Sequence, residues 1–148
     1  MKKEFLSKIE ISKDNLIHNF KELKKIAKKG THFSVAVKGN AYGHGEKEVV
    51  KILEPYVDYF QVDSIEELRI LRKVSKKRTF VFGYVSKKDL KEAIKLKSIL
   101  APFSKEQLMC INKEAKIMHV KQEIHLPVDA LLGREGFMKE EIFEIINE

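Results

Sequence analysis

Short apolar segments alternate with longer amphipathic segments along this sequence, and this alternation constrains the fold more than any other feature. The short segments are rich in valine, isoleucine and phenylalanine, as strands are when both faces of a sheet are covered. They predict β-strands at residues 33–38, 59–62, 79–82, 99–101 and 122–128. Parallel pairing is expected, because a helix-length segment separates consecutive strands.

The intervening segments have apolar residues at every third or fourth position and therefore predict helices. The predicted helices cover residues 12–29, 45–53, 64–74, 87–96, 104–115 and 139–147. Ser12 or Asp14, Ser64 and Ser104 are candidate capping residues, and Gly30 is expected to end the first helix. The pattern predicts an α/β fold with parallel strands and flanking helices. A doubly wound sheet and part of a (β/α)8 barrel both satisfy it, and both place ligands at the carboxyl ends of the strands.

The length of the chain limits how much of such a fold it can form. The chain has 148 residues, which is enough for one domain with a sizeable core. A complete (β/α)8 barrel needs about 250 residues, so the sequence accounts for about five of the eight βα units. The last segment, EEIFEIINE, is an amphipathic helix with no capping glycine after it. We therefore expect residues 1–148 to form a single domain that corresponds to the first part of a longer pattern.

Composition and charge argue against several classes of protein. No apolar run approaches the roughly 18 residues of a membrane span, and the segment MKKEFLSKIEIS lacks the apolar core of a signal peptide, so a cytoplasmic protein is expected. Cys110 is the single cysteine, which excludes an internal disulfide and a cysteine-based metal cluster. The net charge is +7, but acidic and apolar positions interrupt the basic runs. Solvated helix faces explain this pattern better than a nucleic-acid interface does.

One segment, AVKGNAYGHG, combines residues that carry chemistry. Lys38 ends the first predicted strand, where a neutral lysine amine can form an imine with an aldehyde. On position alone, a solvent-exposed lysine is the commoner interpretation. Tyr42 can donate its hydroxyl hydrogen to a phosphate oxygen, and Gly43 and Gly45 precede a helix whose first amides can bind an anion. His44 could carry a proton, but we interpret it as a structural loop residue.

Within this segment, VKGNAYGHG resembles the pyridoxal-phosphate lysine motif of alanine racemases, usually written VKANAYGHG, and differs from it at Gly39 alone. Other segments resemble the same family in the same order. ISKDNLIHNFKELK resembles its first helix, VDSIEELRILR the exit of its second strand, and FVFG its third strand. HLPVDALLGREGF resembles the fifth strand and loop, usually written HLKVDTGMGRLGF. The resemblance covers essentially the whole chain but only the first part of a family member.

The resemblance implies a partial (β/α)8 TIM barrel of about five βα units that binds pyridoxal 5'-phosphate. It implies that Lys38 holds the cofactor as an imine and moves the α-proton on one face of the amino acid. It also implies that Tyr42 hydrogen-bonds the cofactor phosphate. Arg134 would contact the cofactor's phenolic oxygen and the substrate carboxylate, which suits its planar, permanently charged fork. The implied reaction is racemisation of L-alanine to D-alanine by two opposed bases, for D-alanine biosynthesis.

The same resemblance implies that parts of the site lie outside this sequence. The second base of the family is a tyrosine of a C-terminal β domain in a partner subunit, and late barrel strands supply most phosphate-binding amides. We therefore expect a homo-oligomer or a complementing chain, and cofactor binding ahead of turnover. Pro127 replaces a lysine that is often carbamylated to orient the arginine, and the triplet Ala130-Leu131-Leu132 replaces Thr-Gly-Met. Because proline cannot donate a hydrogen bond, Pro127 also predicts that the fifth strand is an edge.

Two other functions are compatible with the sequence. A pyridoxal-phosphate homeostasis protein shares the barrel and its lysine without a β domain, although NAYGHG favours the racemase branch. A non-catalytic interaction module would use the open sheet edges or the basic surface. The expected small-molecule partner is an amino acid such as alanine, and neither a membrane nor a nucleic acid is expected as a partner.

Overall fold

The structure, a computed structural model, describes residues 7–147. Internal contacts divide the chain into two compact units, the first ending at Thr31 and the second beginning at His32. That the chain acts as a single domain stays a prediction. The second unit contains a parallel sheet with the strand order β1-β2-β3-β4. Its strands are β1 (Ser34–Ala36), β2 (Tyr59–Val62), β3 (Thr79–Val81) and β4 (Ser98–Leu100).

The first unit contains helix α1 (Lys13–Ile26). Ser12 caps it, since its hydroxyl oxygen accepts the Asn15 backbone N–H at 3.2 Å. The predicted helix over 12–29 is therefore confirmed but is too long at its carboxyl end. Ala27 is already extended, with φ −81° and ψ 147°, so the helix ends before Gly30.

The helices of the second unit flank the sheet and confirm the predicted alternation. They are α2 (Lys38–Tyr42), α3 (Glu46–Leu53), α4 (Ile65–Arg72), α5 (Leu90–Lys95), α6 (Lys105–Ile117) and α7 (Lys139–Asn147). Serine caps begin α4 and α6 as predicted, because the side chains of Ser64 and Ser104 accept the N–H groups of Glu67 and Gln107. Only α2 has no counterpart among the predicted elements.

The two faces of the sheet have different surroundings. On one face, α4 and α5 pack against β3 and β4, and the side chains are fully buried. The buried side chains of this face are Phe60, Val62, Val81 and Leu100. The opposite face carries a second cluster in which aromatic residues predominate, namely Tyr59, Phe80, Phe82, Ile99, Ala101 and Phe103. In a closed barrel this second face is the interior. The carboxyl ends of the strands above it frame the cleft described below.

The fifth predicted strand, over 122–128, is wrong as a strand. It is reduced to a single parallel bridge between Leu100 and Ile124. Pro127 has no N–H with which to continue a ladder, and a strand needs such donors. Within residues 7–147 the sheet therefore has four strands, and the bridged segment lies along the β4 edge.

The described residues contain neither a membrane span nor a metal cluster. Among residues 7–147, none of the helices combines the length and the apolarity that crossing a membrane requires. In the same part of the chain, His, Cys, Asp and Glu side chains form no group of three or more that could hold a metal ion.

Candidate functional site

A cleft of about 540 Å³ lies at the carboxyl ends of β1, β2 and β3. Its volume is within the range of pockets that bind small molecules. Lys38, Tyr42 and Arg134 all line it, so the structure brings the three predicted site residues to one place, where their roles stay predictions. The other lining residues include Gln61, Asp63, Phe80, Phe82, Asp129 and Glu135.

Lys38 is the first residue of α2, which is a left-handed turn. Lys38 therefore does not end a strand, which corrects the strand predicted over 33–38. Residues 39–42 have φ between +53° and +59°. Two backbone bonds close the turn, from the Ala41 N–H to the Val37 carbonyl at 2.7 Å and from the Gly43 N–H to the Gly39 carbonyl at 3.1 Å. A left-handed conformation costs roughly 1–2 kcal/mol for each residue other than glycine. Strain of this kind is typical of functional sites.

Asn40 fastens the far end of this turn to helix α3. Its side-chain oxygen accepts the Glu46 N–H at 2.9 Å, and its backbone carbonyl accepts the Gly45 N–H at 2.9 Å. Asparagine tolerates left-handed φ better than most residues because its short side chain bonds locally. The turn thus connects β1 rigidly to α3 and fixes where the Lys38 side chain begins.

The Lys38 amine forms an ion pair across the mouth of the cleft. Its Nζ lies 3.3 Å from Asp63 Oδ2, and Asp63 directly follows β2. Asp63 Oδ1 is buried, and among the described residues no group donates a hydrogen bond to it. A buried carboxylate oxygen without a donor is costly, so Asp63 offers an acceptor that the described chain leaves unused.

Glu67 joins the two loops that carry this ion pair. Its Oε1 accepts the Gly39 N–H at 2.7 Å and its Oε2 accepts the Asp63 N–H at 2.7 Å. Gly39 follows Lys38 in sequence, so one carboxylate holds the backbone next to both partners of the pair. Hydrogen bonds to a charged acceptor are about twice as strong as neutral ones. Glu67 therefore sets the separation of Lys38 and Asp63.

A second carboxylate, that of Glu46, is buried near Glu67. The Glu46 residue is 3% exposed, and its Oε1 has no hydrogen-bond partner among the described residues. Burial, together with the negative charge of Glu67, raises the pKa of Glu46 to about 7. Glu46 therefore changes its charge near neutral pH, directly after the turn that carries Lys38.

Arg134 is presented by a closed loop that replaces the end of the predicted fifth strand. A bridge between Val128 and Phe137 closes the loop. Inside it, the Asp129 carboxylate accepts the Leu132 N–H at 2.8 Å and the Gly133 N–H at 3.1 Å. Aspartate commonly organises turns in this way.

The Arg134 guanidinium is paired with the neighbouring carboxylate. Its Nε lies 2.9 Å from Glu135 Oε2, and its Nη2 lies 2.6 Å from Glu135 Oε1. This two-point contact raises the pKa of Arg134, with a smaller contribution from Asp63. The resemblance assigns this guanidinium to a ligand carboxylate, and a carboxylate of this chain already occupies its Nε and Nη2 edge.

The remaining predicted residues, Tyr42 and His44, have different surroundings. Tyr42 is 67% exposed at the cleft, so its hydroxyl is accessible to a ligand. His44 Nδ1 lies 3.0 Å from the Ala41 carbonyl, within the turn itself. This contact agrees with the structural interpretation of His44.

Sequence reasoning missed the acidic residues of the site. Asp63 and Glu67 follow the second strand. In the segment SIEE, Glu67 stands three residues after Ser64, the position of the acidic residue in a capping box. Its carboxylate instead accepts the N–H groups of Gly39 and Asp63. Asp129 and Glu135 lie within the quoted segment HLPVDALLGREGF. Only the structure shows that Asp63 and Glu135 pair with the two cations, whereas Glu67 and Asp129 accept backbone N–H groups.

The residues of the cleft fit pyridoxal phosphate. Lys38 supplies an amine next to an accessible tyrosine hydroxyl, and Arg134 supplies a permanent cation in the same cleft. The unpartnered Asp63 Oδ1 adds an acceptor at the same mouth. Phe80 and Phe82 also line the cleft, and their aromatic rings can pack against an apolar ring face.

A parallel sheet in the order β1-β2-β3-β4, whose strand ends frame a lysine-bearing cleft, is the arrangement of a (β/α)-barrel segment with a candidate small-molecule site. A family model described as alanine racemase, N-terminal domain, matches residues 11–148. The chain belongs to this family. The predicted recognition and fold class are thereby confirmed at the level of the family.

Three relatives illustrate the similarity. Alanine racemase 1 of Caldanaerobacter subterraneus subsp. tengcongensis is 32% identical, over 95% of this chain and 38% of that protein. The solved alanine racemase of Clostridium difficile 630 is 32% identical with a TM-score of 0.84, over 90% of this chain and 36% of that chain. The structure of alanine racemase from Bartonella henselae with covalently bound pyridoxal phosphate has 21% identity and a TM-score of 0.83, over 93% of this chain and 41% of that chain. The chain therefore spans well under half of the length of these relatives.

Proposed function

We propose that this chain is the cofactor-binding part of a pyridoxal-phosphate-dependent amino-acid racemase of the alanine racemase type. The observation that carries the proposal is the position of Lys38, in one cleft with Tyr42 and Arg134, in a chain of this family. Lys38 would hold the cofactor covalently through Nζ. Tyr42 would donate a hydrogen bond to its phosphate from an accessible position, and Arg134 would bind the substrate carboxylate.

The proposed reaction interconverts L-alanine and D-alanine. When bound, pyridoxal phosphate supplies an electron sink for the negative charge left at Cα. Lys38 Nζ would take or return the Cα proton on one face of the amino acid. Arg134 would orient the substrate by its carboxylate, and the walls of the cleft would limit the access of water. The residues of this chain would therefore bind the cofactor, orient the substrate and transfer one proton.

The second proton transfer needs a base on the opposite face of the substrate, which we assign to a partner subunit or a complementing chain. The family resemblance supports this assignment, since the second base there is a tyrosine from another subunit. We accordingly propose a homo-oligomer or a completed barrel as the active form, acting in the cytoplasm to supply D-alanine.

The test is reductive trapping of the cofactor. The chain is incubated with pyridoxal phosphate, reduced with borohydride and digested, and the modified lysine is identified by mass spectrometry. We expect the adduct at Lys38 and its loss in Lys38→Arg. Lys47→Arg, an exposed lysine of α3, is the matched control and should keep the adduct.

An adduct spread evenly over the exposed lysines, or one that persists on the same scale in Lys38→Arg, would overturn the proposal. A pyridoxal-phosphate homeostasis protein would give the same adduct without exchange of the alanine Cα proton. Incubation in deuterated water with L-alanine separates the two functions, because a racemase site incorporates deuterium at Cα. A non-catalytic interaction module would give neither the adduct nor the exchange.

A further inference from the structure

Both cations of the cleft are already neutralised by side chains of this chain. Lys38 is paired with Asp63, and Arg134 is paired with Glu135. Asp129 adds a third carboxylate, which accepts backbone N–H groups of its own loop. Carboxylates therefore outnumber cations along the cleft, and an anionic ligand meets a lining that is negative on balance.

The contact between Arg134 and Glu135 has the geometry of ligand recognition. Two parallel N–H···O contacts, at 2.9 Å and 2.6 Å, join the guanidinium edge to both carboxylate oxygens. This is the arrangement in which arginine binds a carboxylate ligand. An arginine edge engaged by one carboxylate is not available to another, so a ligand carboxylate that approaches the Nε and Nη2 edge competes with Glu135.

Glu135 is well placed for this competition. Its side chain is 28% exposed, whereas that of Arg134 is 63% exposed, so the arginine is accessible from solvent while its partner lies deeper. The two residues are adjacent in sequence on a loop that Asp129 and the bridge to Phe137 hold closed. Glu135 therefore stays near the guanidinium whether or not the two are in contact.

We propose that Glu135 is an internal competitor that determines how tightly the cleft binds a small-molecule carboxylate. Its carboxylate occupies Arg134 when no ligand is present and leaves when an amino-acid carboxylate binds. This inference rests on the proposed function, in which Arg134 binds the substrate carboxylate. Because exposed ion pairs are weak, displacement lowers ligand affinity by a factor of about two to five.

The experiment uses sodium propionate as a carboxylate that has no amino group and needs no cofactor. The full chain, labelled with ¹⁵N, is titrated while the Arg134 Nε–Hε signal is followed by NMR, at constant ionic strength maintained with sodium chloride. We expect Glu135→Gln and Glu135→Ala to tighten propionate binding about two- to fivefold. Glu144→Gln, which removes an exposed carboxylate of α7 and changes the net charge equally, should bind as the unmodified chain does.

Unchanged or weaker propionate binding in both Glu135 variants would overturn the inference, and weaker binding would show that Glu135 positions Arg134 instead. Propionate binding that survives in Arg134→Lys would also overturn it; in that variant, which lacks the arginine Nε–Hε group, binding is followed through the ¹H signals of propionate. A parallel titration with inorganic phosphate tests whether the competition extends to the cofactor's phosphate; a larger gain for phosphate than for propionate would contradict a carboxylate site.

Reductive trapping at Lys38 in the same variants separates this inference from the proposed function, because a missing adduct refutes the proposed function without changing the propionate result.

Discussion

Lys38 and Asp63 connect the carboxyl ends of two neighbouring strands, because the Lys38 amine donates to Asp63 Oδ2 across 3.3 Å from positions that follow β1 and β2. Both side chains are partly exposed, so the pair contributes at most about 1 kcal/mol to stability. Its chemical consequence is more important. An amine attacks an aldehyde through its free electron pair, so Lys38 Nζ must leave this ion pair first.

Replacing Asp63 with alanine is therefore expected to speed the attachment of pyridoxal phosphate to Lys38. We expect an increase of about two- to fivefold in the initial rate at pH 7, the factor that corresponds to losing a partly exposed ion pair. The rate is measured by borohydride trapping at short times and quantification of the Lys38 peptide. Glu144→Ala, which removes an exposed carboxylate far along the sequence, serves as the control. A slower rate in Asp63→Ala would show that Asp63 aligns the amine instead of restraining it.

The class of fold was accessible from the sequence because parallel α/β structure follows from local patterns. Each strand of the sheet pairs with the next one along the chain, and every predicted helix has an observed counterpart. The prediction of the fifth strand was wrong because an apolar pattern does not indicate whether the segment can pair with a neighbouring strand. A strand there needs a continuous ladder of hydrogen bonds with β4, and Pro127 has no N–H to donate.

The left-handed turn after Lys38 could not be predicted, since only Gly39 and Asn40 among its residues favour positive φ, and Ala41 and Tyr42 do not. Tertiary hydrogen bonds through Asn40 and Glu67 stabilise it. The residues of the candidate site likewise fall into those that a local motif predicts and those that only tertiary structure reveals. A contiguous motif predicted Lys38 and Tyr42, whereas Asp63 lies 25 residues away from Lys38 along the chain and reaches it only through the pairing of β1 with β2.

Glu67 is expected to be a stabilising residue as well as a positioning one. Alanine at this position leaves the N–H groups of Gly39 and Asp63 without their acceptor, which should lower the free energy of unfolding by about 1–3 kcal/mol. Equilibrium denaturation in urea measures the change. The same variant should also broaden the distribution of trapped adducts, because the Lys38 turn loses its connection to β2.

Glu66→Ala is the matched control for this prediction. Glu66 lies on the same turn of α4 and pairs with Arg69 on the surface. Its loss should cost less than about 1 kcal/mol, as for other exposed ion pairs. Equal losses in the two variants would show that the contacts of Glu67 with the two loops contribute no special stability.

Glu46 is expected to make the stability of the fold depend on pH. Its pKa is raised from 4.5 to about 7 in the folded chain, so between these pH values the folded state binds more protons than the unfolded state. The free energy of unfolding contributed by this group therefore falls as pH rises from 4.5 and reaches its lowest value above pH 7. Above that pH the buried charge is fully present and destabilises the fold.

Glu46→Gln removes this ionisation while keeping the shape of the side chain. We expect the variant to gain stability relative to the unmodified chain as pH rises from 5 to 8, by about 1–3 kcal/mol at pH 8. Urea denaturation at unit intervals of pH measures the difference between the two proteins, which cancels the contributions of all other titrating groups. A difference that does not vary with pH would contradict a raised pKa for Glu46.

Gly83 and Gly39 are expected to respond differently to the same substitution. A Cβ added at Gly83 would lie 2.0 Å from the Asp63 carbonyl oxygen, so the ends of β2 and β3 would have to separate. We expect Gly83→Ala to lower the free energy of unfolding by about 3 kcal/mol, at the upper end for overpacking. At Gly39 a Cβ has open space, and the cost of the left-handed φ of +59° should be about 1 kcal/mol.

The family motif with alanine in place of Gly39 supports the milder outcome at that position, because it places a Cβ in the same segment. Thermal unfolding of the two variants side by side tests the contrast, and trapping at Lys38 reports on the site. Gly83→Ala should speed trapping, since moving Asp63 weakens the ion pair that restrains Lys38, while Gly39→Ala should leave trapping nearly unchanged. If Gly39→Ala were the more destabilising of the two, a Cβ at Gly39 would have to meet more than open space, and the close approach of Gly83 to Asp63 would not hold β2 and β3 together at the cleft.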